Sequence, residues 1–414
     1  MAFSMVASHS RGKSAADKIF GASGAANAAK AKFGKAAVTD ATIGAILDDS
    51  EALVCLPTVE KVFRSLPMPD IIAYAPIAGL PGYLDTVIEA AFLENKPEAY
   101  MKAVATSGGS GAIHHAIWNY SEVGQTILTS DWHWDPYRVL ADGLLRKLDT
   151  FEYFNEKLEF NVKSLEGKVN ELLSKQDSLL LIINTPAHNP VGYSLSDSDW
   201  DQVLDVLKKA AKSDKKITLF VDVAYLDFSG EKNECRAFMK KFSNLPSNIL
   251  VIVGYSMSKG FTVYGMRTGA MIGISSDQSV AEEFQNINQY TSRATWSNIN
   301  RGAMTVMTTI YKDKALLTQL EGERDHYYRK IKERADIFAA EAKDANLTTL
   351  PYIAGFFLSI ASNNPDAVCT KLHDDNIFAV PLAKGVRVAL CAVPAAKVKG
   401  MAGKIAGAIA AVEK

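Results

Sequence analysis

The stretch at residues 256–269 combines residue types that suit covalent chemistry on a phosphorylated ligand. Lys259 comes shortly after a β-branched apolar run, and Arg267 follows it eight positions later. A lysine held in a partly dry pocket can lose its proton and act as a Schiff-base nucleophile. Ser256 and Arg267 can hold a phosphate group with charge-assisted hydrogen bonds. Taken alone, the stretch would be interpreted as an ordinary solvated basic loop.

A second candidate for anion binding is the turn at residues 106–112, which precedes a helical window. Gly109 allows a close approach of the backbone, and the Ser110 hydroxyl adds a donor to the free N–H groups of the first helical turn. Many turns of this composition bind nothing. The turn is not a Walker A loop, because no GK[ST] follows, and it lacks the spacing of a dinucleotide fingerprint.

Two more polar residues stand at the ends of apolar runs. Asn189 precedes Pro190, which favours an extended backbone and leaves the amide free to point inward. Asp222 ends a buried run, where an unpaired carboxylate would be costly. Either residue alone is more often structural than catalytic. Together with Lys259, on successive strands, they form an ordered set that chance rarely supplies.

The elements that must position these residues alternate between residues 98 and 275. Short β-branched runs predict strands at 126–129, 179–183, 217–221, 249–253 and 270–274. Helical windows lie between them, for example at 110–120 and 197–212. This alternation predicts βαβ units around a mostly parallel sheet with helices on both faces. In open sheets of this kind, ligands bind beyond the carboxyl ends of the strands.

The pattern changes after Arg301. Residues 303–345 contain no proline and only one glycine, Gly322. This stretch predicts one long connecting helix. We expect the helix to lead into a smaller α+β unit that holds the last part of the chain.

Composition argues against several other functions. The 414 residues include 45 Lys and Arg against 46 Asp and Glu, so nucleic-acid binding through overall positive charge is not expected. No apolar run approaches the roughly 20 residues that cross a bilayer, so we expect no membrane association. The four cysteines show no CxxC spacing, which favours no metal site and a reducing, cytoplasmic compartment.

The start of the chain leaves two interpretations open. Through Lys35 it is rich in Ala, Ser and Lys, and Asp17 is its only acidic residue. This composition is similar to that of a transit peptide, so mitochondrial import stays open. An Ala-rich helix or arm of the mature fold is the interpretation that we favour.

The ordered set of residues resembles the fold-type I, pyridoxal-phosphate-dependent aminotransferases of class I, on the aspartate and aromatic side. The similarity runs from about residue 17 to about residue 395. Its most specific parts are His188-Asn-Pro-Val-Gly192, Asp222-x-x-Tyr225, and Ser256-x-Ser-Lys259 with Arg267. The resemblance implies pyridoxal phosphate as the cofactor. It also implies amino-group transfer between an amino acid (aspartate, glutamate or aromatic) and a 2-oxo acid such as 2-oxoglutarate.

The resemblance assigns roles on the reactive side of the cofactor. Lys259 would be the Schiff-base lysine and the proton shuttle. Asp222 would pair with the pyridinium nitrogen, so that the ring acts as an electron sink. Asn189 and Tyr225 would donate hydrogen bonds to the phenolic oxygen of the ring.

The ring face and the phosphate also have implied partners. Trp134, which opens a W-x-x-Y element ending at Tyr137, would stack on the ring, although Trp132 competes for this role. Tyr74 matches a tyrosine that reaches the phosphate from a neighbouring subunit. The implied phosphate ligands of the chain itself are Gly109, Ser110, Ser256 and Arg267.

On the substrate side, Arg387 matches the arginine that binds the α-carboxylate as a bidentate pair. Arg293 stands where family members carry a second arginine for a distal carboxylate, although it could also be a surface arginine at the domain joint. Gly44 resembles a glycine that lines the substrate pocket, and Asn189 is a further expected substrate-binding residue. Departures from the family pattern at Val191 and Ile299 leave the preferred substrate open.

The resemblance also implies a domain plan. It places an N-terminal arm with part of the small domain at 1–44, a large cofactor-binding domain at 45–305 and a small C-terminal domain at 306–414. The expected fold class is α/β, with a three-layer α/β/α large domain, a mostly parallel sheet and a smaller α+β domain formed from both chain ends. Family members form homodimers in which Tyr74 and Arg293 would serve the partner's site.

Other functions share this fold and cofactor. They include β-lyases, decarboxylases and, in a different class, non-catalytic regulators that bind pyridoxal phosphate. A substrate clamp of two arginines, Arg293 and Arg387, favours transamination among them.

Overall fold

The computed structural model describes residues 4–14 and 17–413. Within these residues the strands are β1 Thr39–Asp40, β2 Tyr100–Ser107, β3 Thr126–Ser130, β4 Lys147–Phe151, β5 Ser178–Asn184, β6 Lys216–Asp222, β7 Ile249–Ser256, β8 Thr268–Ser275, β9 Phe357–Ala361, β10 Ile377–Phe378, β11 Val380–Pro381 and β12 Gly385–Ala389. The five strands expected from the β-branched runs are confirmed as β3 and β5 to β8. Their ends differ from the expected ones by at most three residues.

The helices of the same residues include both long and single-turn segments. They are α1 Lys18–Phe33, α2 Pro57–Ser65, α3 Met68–Ile72, α4 Pro81–Phe92, α5 Gly108–Tyr120, α6 Pro136–Gly143, α7 Val162–Leu173, α8 Asp197–Ala211, α9 Met257–Gly260, α10 Gln278–Thr295, α11 Arg301–Lys312, α12 Lys314–Asp344, α13 Pro365–Leu372, α14 Ala395–Val398 and α15 Met401–Val412. Short 3-10 helices lie at Ser8–Ser10, Lys35–Ala37, Leu93–Asn95, Leu226–Phe228, Glu234–Phe242, His373–Asp375 and Leu390–Ala392. The Ala-rich stretch near the start forms α1, whose N-cap is Asp17.

The large sheet has the strand order β2-β8-β7-β6-β5-β3-β4. Its strands are parallel except β8, which runs antiparallel to both of its neighbours. Side chains alternate between the two faces, as the pleat of a strand requires. Leu180 and Ile182 pack on the core formed with α5, α6 and α10, whereas Leu179 and Leu181 pack on the core formed with α7 and α8. The expected three-layer arrangement with a mostly parallel sheet is therefore confirmed.

The two ends of the chain meet in a second unit. In this unit β1 pairs in parallel with β10, and β11, β12 and β9 form a small antiparallel sheet. Ala41 shares a core with Phe338 from α12, Leu358 from β9 and Val388 from β12. The smaller α+β unit formed from both chain ends is thereby confirmed, and the boundaries after residues 44 and 305 stay predictions.

The prediction of one continuous helix over 303–345 is wrong. The stretch forms two helices, α11 and α12, that are separated at Asp313, whose backbone is extended (φ −109°, ψ 107°). Its carboxylate accepts hydrogen bonds from the N–H groups of Ala315 at 2.8 Å and Leu316 at 3.2 Å. Such side-chain capping satisfies donors that a helix start leaves free, so a new helix begins there.

None of the helices in the described part of the chain is long and apolar enough to cross a membrane.

Candidate active site

A cavity of about 140 Å³ opens beyond the carboxyl ends of β5, β6 and β7. Most of the residues expected at the site line it, and their neighbours Ile113, Asn184, Ala224 and Ser258 complete its wall. The expected residues in the wall are Gly109, Ser110, Trp134, Asn189, Asp222, Tyr225, Ser256, Lys259 and Arg267. Strands that lie side by side in the sheet end at this edge, which explains why residues distant in sequence meet here.

Lys259 lies in the short helix α9, which begins immediately after β7. Its Nζ is 5.2 Å from the centre of the Tyr225 ring. Burial lowers the pKa of Lys259 to about 8, against the attraction of Asp222 and with added repulsion from Arg267 and Arg387. A substantial fraction of this amine is therefore neutral just above pH 7, as a lysine nucleophile requires.

Asp222 is the last residue of β6 and is buried. Its Oδ2 accepts a hydrogen bond of 2.6 Å from the Tyr137 hydroxyl, and its Oδ1 accepts one of 3.2 Å from the Ala224 N–H. Burial raises the pKa of Asp222, against these hydrogen bonds and the attraction of Lys259. No ion pair satisfies this carboxylate within the described residues, so the site can accept a cationic group of a ligand.

Asn189 and Tyr225 form the opposite wall. The Asn189 side-chain amide donates to the Tyr225 hydroxyl at 3.2 Å, and the Asn189 N–H donates to Asn184 Oδ1 at 2.6 Å. Burial raises the pKa of Tyr225, so its hydroxyl stays protonated and can donate to a ligand oxygen. The amide and the phenol are thus fixed relative to each other before any ligand binds.

The N-terminus of α5 and the Arg267 guanidinium converge at the other end of the cavity. Arg267 donates to the Tyr264 carbonyl at 3.0 Å, to Ser258 Oγ at 3.4 Å and to Ser110 Oγ at 3.5 Å. Gly108 has φ +65°, a backbone conformation that favours glycine, and a Cβ there would lie 2.8 Å from Arg267 Nη2, so the guanidinium would have to move. Free N–H groups of a helix start beside a guanidinium form an anion site.

The structure separates the two candidate tryptophans. Trp134 lines the cavity and meets the Tyr137 ring edge-on, with a centroid distance of 5.6 Å and an angle of 90°. Trp132 is buried beside Gly385, whose Cβ would lie 2.8 Å from the indole. Only Trp134 of this pair therefore reaches the cavity wall.

Arg387, in β12, is a buried arginine without an acidic partner among the described residues. It donates to the Thr42 carbonyl at 2.7 Å and to Asn189 Oδ1 at 3.4 Å, and its guanidinium lies 4.3 Å from the centre of the Phe357 ring. Its Nε has no hydrogen-bond partner, and burial lowers the pKa of the group. A Cβ on Gly44 would lie 2.7 Å from the same Phe357 ring. The arrangement leaves a guanidinium available for a carboxylate next to Asn189.

Comparison with known proteins identifies the family. A model of the family "Aminotransferase class I and II" matches residues 37–405. The chain belongs to this family. The structure superposes on an aminotransferase from Anaerococcus prevotii with a TM-score of 0.96 at 38% identity, covering 98% of this chain and all of that one. The predicted family, the enzyme class and pyridoxal phosphate as the cofactor are thereby confirmed.

Two relatives that share less sequence with the present chain have names that state an activity. An aspartate aminotransferase from Pseudomonas aeruginosa is 25% identical over 63% of this chain, and the match spans 64% of that enzyme's length. An aromatic-amino-acid aminotransferase from Burkholderia pseudomallei, solved covalently bound to pyridoxal phosphate, superposes with a TM-score of 0.76 at 21% identity. It covers 98% of this chain and 100% of that one, and at this identity it shows the fold alone.

Four expected residues do not line the cavity within one chain: Arg387, Gly44, Tyr74 and Arg293. Arg387 still contacts the cavity wall through Asn189. Tyr74 is 89% exposed. Arg293 is also exposed, and it donates a hydrogen bond to the nearby Ser297 hydroxyl. Within one chain, therefore, neither Tyr74 nor Arg293 forms part of the cavity wall.

Sequence reasoning missed several cavity contacts of the aminotransferase. Asn184 is the polar residue that ends the apolar run of β5, a signal of the same kind as Asp222. Ser258 lies inside the Ser-x-Ser-Lys element, and nothing else in the sequence marks it as a cavity residue. In the sequence Tyr137 is only the last residue of the W-x-x-Y element. Its contact with Asp222 spans 85 positions, so no local pattern indicates it.

Proposed function

We propose that this aminotransferase moves an amino group between an acidic or aromatic amino acid and a 2-oxo acid such as 2-oxoglutarate. The observation that carries the proposal is the cavity in which Lys259, with a pKa of about 8, faces the buried carboxylate of Asp222. Arg387 adds a buried guanidinium beside Asn189, without an acidic partner among the described residues. An amine nucleophile, a site for a cation and a site for a carboxylate are what the reaction requires.

The residues present fit pyridoxal phosphate. The N-terminus of α5, with Gly109 and Ser110, would hold the phosphate together with Ser256 and Arg267. Asp222, which has no ion-pair partner in the described chain, would accept the protonated ring nitrogen. When bound, the cofactor supplies an electron sink that stabilises negative charge on the substrate Cα.

The side chains around the cofactor transfer the substrate proton and donate hydrogen bonds to the ligand. Lys259 Nζ takes a proton from the substrate Cα and returns one, for which a pKa near the working pH is favourable. The Asn189 amide and the Tyr225 hydroxyl, 3.2 Å apart, form a donor pair for an oxygen of the ligand. Trp134 closes the cavity on the side of α6 and excludes water from the reacting atoms.

Arg387 is the proposed ligand of the α-carboxylate. The Thr42 carbonyl and Asn189 Oδ1 hold one edge of its guanidinium, and Nε stays free of hydrogen bonds. A bidentate arginine–carboxylate pair orients an amino acid with its Cα toward Lys259. Gly44 has no side chain, and the Phe357 ring packs against it in the space that a Cβ would otherwise fill.

A homodimer with shared sites is the proposed assembly. Exposed Tyr74 would reach the phosphate and exposed Arg293 the distal carboxylate of a substrate in the partner's cavity. Mixing two inactive variants tests this. Unfolding and refolding Lys259→Ala with Arg293→Ala creates heterodimers in which one cavity has both wild-type residues. Activity on a dicarboxylic amino acid should recover to about a quarter of the wild-type level at equal mixing. No recovery despite heterodimer formation would reject shared sites.

The spectrum of the cofactor tests the reaction itself. An amino acid alone should convert the bound cofactor stoichiometrically to its amine form, and a 2-oxo acid should restore the aldehyde form. Lys259→Ala should abolish this cycle, whereas Lys208→Ala, at an exposed position of α8, should leave it intact. Catalytic release of ammonia and a 2-oxo acid, or of carbon dioxide, without conversion of the cofactor would indicate a lyase or a decarboxylase instead.

The cytoplasm is the proposed compartment. All four cysteines are free, as expected in a reducing environment: Cys55, Cys235, Cys369 and Cys391. Fractionation of cells that produce the protein would test the location, and recovery from an organelle would overturn it.

A further inference from the structure

Tyr137 contacts the Asp222 carboxylate from outside the cavity lining. It is the second residue of α6, it is fully buried, and its hydroxyl donates a 2.6 Å hydrogen bond to Asp222 Oδ2. Its ring stacks on His133 at 6.4 Å and meets Trp134 edge-on at 5.6 Å. The Tyr137 side chain therefore contacts two residues of the cavity wall, Asp222 and Trp134, but does not line the cavity itself.

The contact is specific, because burial of a tyrosine does not by itself create one. Tyr83, Tyr153 and Tyr255 are also buried, and their hydroxyls have no hydrogen-bond partner within the described structure. Of these four tyrosines, only Tyr137 has its hydroxyl placed against a carboxylate. A hydroxyl bound to an ionised carboxylate makes a shorter and stronger hydrogen bond than one bound to a neutral group.

Two opposing effects act on the Asp222 carboxylate. Burial favours its neutral form and raises its pKa, whereas the Tyr137 hydroxyl favours the ionised form. Tyr137 can always serve as donor, because burial raises its own pKa well above the usual range. The other ionisable groups that face the pair are Lys259 from α9, Tyr225 after β6, and His133 beside the Tyr137 ring.

We propose that Tyr137 is a positioning residue whose hydroxyl holds Asp222 ionised and oriented toward the cofactor cavity. The proposal rests on the proposed function, because it is the cofactor's ring nitrogen that Asp222 would pair with. Removal of the Tyr137 hydroxyl would leave the cavity wall intact but would make the ionised form of the Asp222 carboxylate less stable. Tyr137 thus acts on the reaction only through Asp222.

The variant Tyr137→Phe isolates the hydroxyl, since phenylalanine keeps the ring contacts with Trp134 and His133. Tyr83→Phe is the matched control, because it removes a buried hydroxyl that has no partner. Tyr137→Phe should weaken the binding of pyridoxal phosphate, measured by titration of the cofactor-free protein, by about 10- to 100-fold. Its kcat should fall while KM for the amino donor stays the same. Wild-type affinity and kcat in Tyr137→Phe would overturn the proposal.

The cofactor-free protein provides a second readout that a merely structural role would not move. Because the pKa of folded Asp222 lies above its unfolded value, its ionisation costs stability as pH rises, and loss of the hydroxyl increases this cost. The deficit in Tm of Tyr137→Phe relative to wild type should therefore grow as pH rises through the range in which folded Asp222 ionises, in a pH series kept below the Lys259 pKa of about 8. Tyr83→Phe should show a constant difference.

This second readout separates failure of the inference from failure of the proposed function. A Tm difference that does not change with pH in Tyr137→Phe would reject the role of the hydroxyl, even if wild-type protein transaminates. A pH-dependent difference in a protein that does not transaminate would support the contact and reject the function instead.

Discussion

Replacing Arg387 by methionine should separate substrate binding from folding. Methionine has a similar length and suits a buried site, but it cannot bind a carboxylate. In the present structure the guanidinium has two hydrogen bonds, to the Thr42 carbonyl at 2.7 Å and to Asn189 Oδ1 at 3.4 Å, and no acidic partner among the described residues. The position therefore has the features of a binding group whose charge is satisfied only by ligand.

The magnitude follows from what each state loses. Loss of one partner of a buried, bidentate ion pair costs about 2–5 kcal/mol, which is about a 30- to 5,000-fold lower kcat/KM. In the ligand-free fold, methionine removes two hydrogen bonds of about 1.5–3 kcal/mol each. It also removes a buried, unpaired charge that costs several kcal/mol. Because these two changes oppose each other, we expect the free energy of unfolding to stay close to that of the wild type.

Steady-state kinetics and chemical denaturation of the same preparations provide the test, and Arg334→Met is the control. Arg334 is equally buried, but it donates to the Cys391 carbonyl at 2.8 Å and the Leu47 carbonyl at 3.0 Å and pairs with Asp49 at 3.2 Å. We expect Arg334→Met to lose stability by at least about 2 kcal/mol. A fall in stability of Arg387→Met that matches this control would show that Arg387 supports the fold and not the substrate.

Three further outcomes are expected. Arg293→Ala should lower kcat/KM for dicarboxylic amino acids by about 2–5 kcal/mol more than for phenylalanine, and equal losses would place Arg293 outside the substrate pocket. Reconstitution of cofactor-free protein with pyridoxal phosphate should accelerate about tenfold per pH unit below pH 8 and level off above it, because the neutral Lys259 amine reacts. A rate still rising at pH 10 would contradict the lowered pKa. Asp313→Ala should reduce the free energy of unfolding by about 0.5–2 kcal/mol with unchanged kcat, as measured by urea denaturation.

Much of the sheet could be predicted because parallel, buried strands are continuous apolar runs. The runs ending at Asn184, Asp222 and Ser256 need no long-range information to be recognised. Their carboxyl ends must share one edge of the sheet, so the site followed from the fold. The pairing of β1 with β10 could not be predicted in this way, because two-residue strands have no periodicity.

Two further features could not be derived from local sequence, for a different reason. The helix break at Asp313 depends on one capping residue, and the helix propensity of the surrounding stretch outweighs that signal in any window. The choice between Trp132 and Trp134 depends on tertiary packing. Both residues follow β3 within a few positions. The Trp132 indole packs beside Gly385, whereas Trp134 lines the cavity. Local sequence contains no information about that packing.

Ligands would change the charges around Lys259 in two opposing ways. Repulsion from Arg267 and Arg387 contributes to the low pKa of Lys259. A phosphate at Arg267 and a carboxylate at Arg387 would each neutralise one of these repulsions, whereas a ring cation at Asp222 would weaken the attraction that this carboxylate exerts. In the ligand-free cavity the lysine is a good nucleophile because its proton is weakly held. The two bound anions by themselves would make the same amine hold a proton more tightly, which is the property of the base that must remove one from the substrate Cα. The two arginines therefore adjust the chemistry of Lys259 as well as bind the ligands.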